Sequence, residues 1–257
     1  MEGAKRRSRC LHLLALAALA AGAARAAAPP RAITVSSAAG LSLALPEIAR
    51  DFTRKTGIRV DLNFGATQKL AAQIQQGAPV DLFVAADRAS IEDLARRKLV
   101  VPGTARTYAF GRLALCVPPG SRVKLADLHN LAAPEIRRIA IANPQHAPYG
   151  VAARQALQAG GLWETLKERI VTGDTVRQAV QYVETGTVDA GIVAYSLVVT
   201  SKLRHALVPE KLHRPIEQMV CVVRGTRREA EARRFAAFLR REGKGVLRRY
   251  GFRVAER

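Results

Sequence analysis

The 257-residue chain carries 41 lysines and arginines against 21 aspartates and glutamates, a formal charge of +20, and 49% of its residues are hydrophobic. This length and apolar content suffice for one large or two modest packed domains and exclude a disordered or fibrous polypeptide. The basic balance invites a nucleic-acid reading, but aromatic residues make up only 5% and no nucleic-acid fold signature occurs. The arginines of residues 202–257 interleave with helix-spaced Phe235, Phe238 and Leu239, as solvated faces do.

Residues 1–26 read as an export signal. Lys5, Arg6, Arg7 and Arg9 precede the apolar run Leu11–Ala21, and Ala24-Arg25-Ala26 supplies a small-x-small cleavage site. His12 and Arg25 leave that run too short for a membrane span. Arg6-Arg7 lacks the apolar residues that follow a twin-arginine pair, and Cys10 follows basic residues rather than a lipoprotein box. With five basic residues and Glu2 removed, the product starts near Ala27 and keeps +16 of the +20, a field that draws anions toward the surface.

Beyond the signal, apolar strands alternate with amphipathic helices. A strand over Ala32–Val35 leads into a helix over Leu41–Lys55, stopped by Gly57, with Leu41, Leu45, Ile48 and Phe52 on one face and Pro46 making its start irregular. Ile58–Phe64 alternates apolar and polar residues as a half-buried strand. A helix capped by Thr67 then runs to Gln76, a strand covers Val80–Ala85, and a helix covers Ser90–Lys98. Ala109–Val117 reads as one strand ending at Pro118-Pro119-Gly120, followed by helix-like Leu125–Leu131. Strands at Ile139–Ala142, Arg169–Val171, Ala190–Ala194 and Gln218–Val223 and helices at Gly150–Ala159, Thr175–Glu184 and Glu229–Arg241 complete the pattern.

This alternation predicts an α/β protein with mainly parallel sheets. No linker rich in Pro, Gly or Ser separates domains, so strands are expected to cross between two lobes near Phe110–Leu113 and Met219–Val223. The first lobe is then discontinuous, residues 27–112 plus 222–257, and the second spans 113–221. Cys116 and Cys221 each lie in an apolar run and read as buried free thiols, with a disulfide as the alternative that export permits.

Four strand ends open into turns of small or hydroxylated residues that begin helices: Ser36–Ser42, Gly65–Thr67, Asn143–Gly150 and Gly173–Val176. A helix start presents unpaired N–H groups and the positive end of the helix dipole, which suits an anion. Ligands of open α/β sheets sit beyond the carboxyl ends of the strands, so the four turns point to a cleft between lobes. No nucleophile elbow, phosphate loop, zinc-protease motif, Cys-x-x-Cys pair or dinucleotide fingerprint occurs. His129, His146, His205 and His213 lack metal-site spacing, and His146 reads as a solvent-exposed loop residue. Asp81, Asp87, Asp174 and Asp189 fit caps better than acid/base pairs. The residues therefore suggest reversible capture of a small anion and no catalytic site; an exported hydrolase pairing Thr67 or Ser37 with His146 is the enzymatic alternative.

The segments Val35-Ser-Ser-Ala-Ala-Gly-Leu41, Asn63-Phe-Gly-Ala-Thr-Gln-Lys-Leu70, Gln76-Gly-Ala-Pro-Val-Asp-Leu-Phe83, Ala142-Asn-Pro-Gln-His-Ala-Pro-Tyr-Gly150 and Gly173-Asp-Thr-Val-Arg-Gln-Ala-Val180 occur in a familiar order. From about Ala32 to Phe252 the chain resembles the periplasmic molybdate-binding proteins, the capture subunits of ABC importers. The resemblance implies a two-lobed periplasmic binding protein fold of type II that holds molybdate or tungstate in the interlobe cleft as transported ligand, with no cofactor. It further implies a periplasmic monomer that delivers to the permease subunits in the membrane. Family ligand positions fall on Ala39, Gly40, Thr67, Tyr149 and Val176 and near Tyr195. Many relatives have Ser where this chain has Gly40 and Tyr where it has Ala194; one branch carries Tyr at the position of Tyr149, whose phenol would replace the lost donor. Neutral dipoles suffice for a dianion, because charge-assisted hydrogen bonds are about twice as strong as neutral ones. Cavity size would then separate molybdate from sulfate. Loss of hydroxyls at Gly40 and Ala194 keeps another small anion, such as sulfate or phosphate, as the alternative ligand.

Overall fold

The computed structural model describes residues 32–255; the export signal and its cleavage site lie outside them. β1 (Ala32–Ala38) pairs in parallel with β2 (Arg59–Gly65) and β3 (Leu82–Ala85). Between β1 and β2, a 3-10 turn at Ala39–Leu41 leads into α1 (Ala44–Thr56). Pro46 is accommodated there because it falls in the first helical turn, whose N–H groups have no partner within the helix. Gly57 ends α1 in the left-handed region, at φ 71°, with its N–H on Thr53 O. α2 (Thr67–Gln75) links β2 to β3, and α3 (Arg88–Arg96) follows β3, capped by Asp87, which accepts from Ser90 N at 2.7 Å.

β4 (Arg106–Gly111) stays in this first sheet, and Arg112 carries the chain into β5 (Leu113–Val117) of a second. There β6 (Ile139–Ala142), α4 (Pro148–Ala159), α5 (Trp163–Leu166), β7 (Ile170–Gly173), α6 (Val176–Glu184), β8 (Ala190–Ala194), α7 (Tyr195–Val198) and β9 (Arg204–Leu207) follow. The chain then returns through β10 (Ile216–Val222), α8 (Glu229–Arg241), α9 (Lys244–Arg249) and β11 (Arg253–Val254). The strand orders are β11-β4-β10-β3-β1-β2 and β7-β6-β8-β5-β9.

Several expectations change. The sheets are mixed rather than mainly parallel, because β10 runs antiparallel to β3 and β4, and β5 antiparallel to β8 and β9. The apolar stretch Ala109–Val117 is two strands, broken where Arg112 leaves one sheet for the other. The return falls between Leu207 and Ile216, so all of β10 belongs to the first sheet. The reason is that β10 extends through Ile216 and the fully buried Gln218 to pair with Gly111 and Ala109. In place of a helix over Leu125–Leu131 the chain forms a 3-10 helix at Leu128–Ala132, started by an Asp127–Asn130 capping box.

Strand alternation assigns each face of the first sheet. Val35, Leu82, Val84, Val220 and Val222 pack with Leu45, Ile48, Phe52, Phe235 and Leu247 of α1, α8 and α9. Phe83, Ala85, Met219 and Cys221 pack with Leu70, Ile74, Ile91 and Leu94 of α2 and α3. Phe52 meets Phe235 and Phe238 edge-on, with ring centroids 5.0 and 5.4 Å apart. Full burial of such a ring stabilises by about 1.5–3 kcal/mol, so this contact anchors the terminal helices to α1. The second sheet has its own core beneath α4 and α6, through Ala153, Leu157, Val180 and Val183. Cys116 and Cys221 are both free and buried, one in each sheet. Among the described residues no helix is long and apolar enough to cross a membrane.

Candidate anion site

The first three turns and the fourth meet where the two lobes face each other. Ala39, Gly40, Thr67, Tyr149 and Val176 line one cavity of about 10 Å³, together with Ala86 and Ala147. Thr67 and Val176 are the first residues of α2 and α6, and Tyr149 is the second of α4. Ala39 and Gly40 begin the 3-10 turn at the end of β1. First-turn N–H groups have no acceptor in their own helix, and the helix dipoles add positive potential there. No charged side chain lines the cavity. Its lining is uncharged and is contributed by helix starts and turns of both lobes.

Local chemistry explains the placement. Thr175, in extended conformation, caps α6 through Gln178 N at 3.2 Å, which frees Val176 to face the cavity. Pro148 starts α4 two residues earlier than the apolar pattern suggests, since its fixed φ suits the first helical position. Ala66, not Thr67, occupies the cap position of α2. The Thr67 hydroxyl accepts from Ala86 N at 3.2 Å, which leaves its own proton to donate. Among the described residues no group of three His, Cys, Asp or Glu is arranged to hold a metal.

Gly40 is a space requirement of Tyr149. A Cβ on Gly40 would lie 2.9 Å from Tyr149 Cε2, and one on Gly111 would lie 2.1 Å from Tyr149 Oη. The ring thus lies against two bare backbone segments, the turn after β1 and the end of β4 just before the chain crosses at Arg112. Ser196 Oγ, at the start of α7, donates to Gly40 O at 2.7 Å and ties the same turn to the second lobe. Tyr149 Oη faces Gly111, near Gln218, and among the described residues it has no partner of hydrogen-bond geometry. Burial raises the phenol pKa; the nearby Ser196 hydroxyl offsets a little of this, although its proton is committed to Gly40. An unpartnered buried hydroxyl costs about 1–3 kcal/mol, so Tyr149→Phe is expected to raise the denaturation midpoint. A drop of more than a few degrees in a thermal melt would show that the hydroxyl is paired.

The structure does not bring Tyr195 to this cavity. Its ring packs on Gly251, where an added Cβ would sit 2.3 Å from Tyr195 Cδ1, and it lies 5.6 Å from the His205 ring and 5.4 Å from the Arg112 guanidinium. The adjacent Ser196 points inward instead. Sequence reasoning missed Ser196, for no motif distinguishes it; the only available signal was the helical offset that turns neighbouring side chains roughly 100° apart. His146 is not an exposed loop residue either. Its side chain is 15% exposed, and Nε2 lies 3.1 Å from Asp174 Oδ1. Beside the small cavity, a larger one of about 460 Å³ opens between Gln68, Asp87, Arg88, Val151 and Arg214. It shares Pro148 and Ala86 with the first.

Two mixed sheets joined by two crossover segments, with helix starts converging between them, are the architecture of a two-lobed solute-binding protein. Residues 33–253 match the model of the bacterial extracellular solute-binding proteins. The molybdate-binding protein ModA of Rhodobacter capsulatus is 35% identical over 222 residues, 86% of this chain and 87% of that protein. ModA of Escherichia coli K12 is 33% identical, over 95% and 98% of the two chains. The solved periplasmic molybdate-binding protein of Azotobacter vinelandii superposes with a TM-score of 0.81 at 31% identity, covering 87% of this chain and all of the other. The chain belongs to the bacterial extracellular solute-binding protein family and, within it, to the ModA proteins.

Proposed function

We propose that this protein is the periplasmic capture subunit of a molybdate importer, taking molybdate or tungstate as cargo and passing it to an ABC permease. One observation carries the reading: five helix-start or turn positions from both lobes line a single small cavity free of charged side chains, in a chain that belongs to the ModA proteins. Ala39, Gly40, Tyr149 and Val176 offer backbone N–H groups, and Thr67 adds its hydroxyl. Tyr149 serves through its N–H, since Oη is turned to Gly111. A cavity of about 10 Å³ holds little more than one water. A tetrahedral oxyanion therefore enters with the lobes apart and is enclosed as they close. The chain acts as a monomer, exported with cleavage near Ala26.

Donors fixed at helix starts cannot contract onto a smaller ion, which favours molybdate over sulfate. Isothermal titration of the processed protein is expected to show tight one-to-one binding of molybdate and of tungstate, unaffected by sulfate in large excess. Displacement by sulfate, or the absence of both heat and thermal shift with molybdate, would overturn the assignment.

A further inference from the structure

We infer that Lys69, Asp174 and His146 form a latch across the mouth of the anion site, and that this latch sets how long the bound anion is retained. The inference rests on the capture role proposed above. Lys69, in α2 of the first lobe, donates from Nζ to Asp174 Oδ1 of the second lobe at 2.5 Å. His146 Nε2 meets the same carboxylate oxygen at 3.1 Å and the Asp174 carbonyl at 3.2 Å. Alongside, Gln68 N–H donates to His146 O at 3.2 Å, a backbone bond that also joins the lobes. Asp174 is held from behind, its own N–H donating to Gln178 Oε1.

The placement makes this more than an ordinary surface pair. Lys69 lies two residues after Thr67, Asp174 two before Val176, and His146 one before Ala147. Each latch residue is therefore rigidly tied to a wall of the cavity. The Lys69–Asp174 and Gln68–His146 contacts join the two lobes and exist only while these are together, so their strength enters the closing equilibrium and, through it, the release rate, while His146 steadies Asp174 within its own lobe. Lys69 and Asp174 are each about half exposed, at 49% and 53%, so the effect is modest. The Lys69 bond, with His146 alongside, holds the Asp174 carboxyl below the usual aspartate range.

Asp174→Asn discriminates between latch and local field. A carboxylate near an anion site repels the ligand, so if Asp174 acted only through its charge, its removal would tighten binding. A latch requires the opposite. Asp174→Asn and Lys69→Met are each expected to weaken molybdate binding roughly two- to fivefold, the range of a half-exposed ion pair. Most of the change is expected in the release rate, and the double variant should weaken binding no more than either single one. Lys69→Arg is expected to restore most of the loss. Tighter or unchanged binding by Asp174→Asn, or additive losses, would overturn the latch. Small-angle scattering of the unliganded proteins keeps it testable even if molybdate proves the wrong ligand: both single variants are expected to be more open than the parent, and superimposable curves would refute it.

Discussion

Gly150→Ala is expected to destabilise the protein by about 3 kcal/mol or more and to abolish anion capture. A Cβ at this position would lie 2.1 Å from Ala142 O, 2.7 Å from Ala142 C and 2.9 Å from Asn143 C. These are backbone atoms at the end of β6, which is paired on both sides by β7 and β8, so they cannot yield as a side chain would. Overpacking a core costs about 1–3 kcal/mol when neighbours adjust, and more when they do not. The strain is relieved only by lifting the start of α4, which draws Pro148 and Tyr149 out of the cavity wall. Chemical denaturation gives the first quantity; titration with molybdate, well below the unfolding midpoint, gives the second. Gly245→Ala is the control. Its Cβ would approach nothing closer than 4.0 Å, and in a helix alanine is favoured by about 1 kcal/mol. Equal stability of Gly150→Ala and the parent would mean that α4 is not pressed against β6.

The second large effect is on binding alone. Val176→Pro removes one N–H from the cavity while leaving the helix intact, because proline is favoured at the first helical position. The residue before it is also suited: Thr175 has φ −128° and ψ 164°, the extended conformation that proline imposes on its predecessor. A hydrogen bond to a charged group contributes about 1.5–3 kcal/mol, so molybdate affinity is expected to fall roughly 10- to 150-fold. Val176→Ala makes the opposite trade. It keeps the N–H and the affinity but loses about 1–2 kcal/mol of stability with two buried methyl groups, since Val176 is only 4% exposed. Calorimetric titration and melting of both variants separate the two contributions. Parent-like affinity in the proline variant would remove Val176 from the donor set.

The parts of this molecule with a strong local signal were legible in the sequence. The helix Glu229–Arg241 and the strands Ile139–Ala142 and Ala190–Ala194 lie where periodicity put them, because each buries one clean face or a whole apolar run. The cavity walls were legible for the same reason, since a helix start after a strand is marked by small and hydroxylated residues. What depends on tertiary direction was not legible. Nothing in Ala109–Val117 marks Arg112 as the point where the chain changes sheets. The short α7 and β9 have too few residues to show a period. Tyr195 and Ser196 differ by one helical step, so composition could not decide which reaches the Gly40 turn. The Tyr149 hydroxyl was expected to supply a donor in place of the one lost at Gly40. In the structure that hydroxyl faces Gly111, and the ring lies so near Gly40 that a Cβ there would sit 2.9 Å from Cε2.

The two cysteines among the described residues carry a consequence for measurement. Cys116 and Cys221 lie in separate sheets, and burial pushes both thiols up to about 12, so neither is a reactive thiolate in the folded chain. In the folded chain neither thiol is accessible for mispairing. Its thiols also become a pair of clocks. A sulfhydryl reagent can label each one only as fast as the surrounding lobe opens, so residue-resolved labelling reports the unfolding of the two lobes separately, within a single unmodified chain.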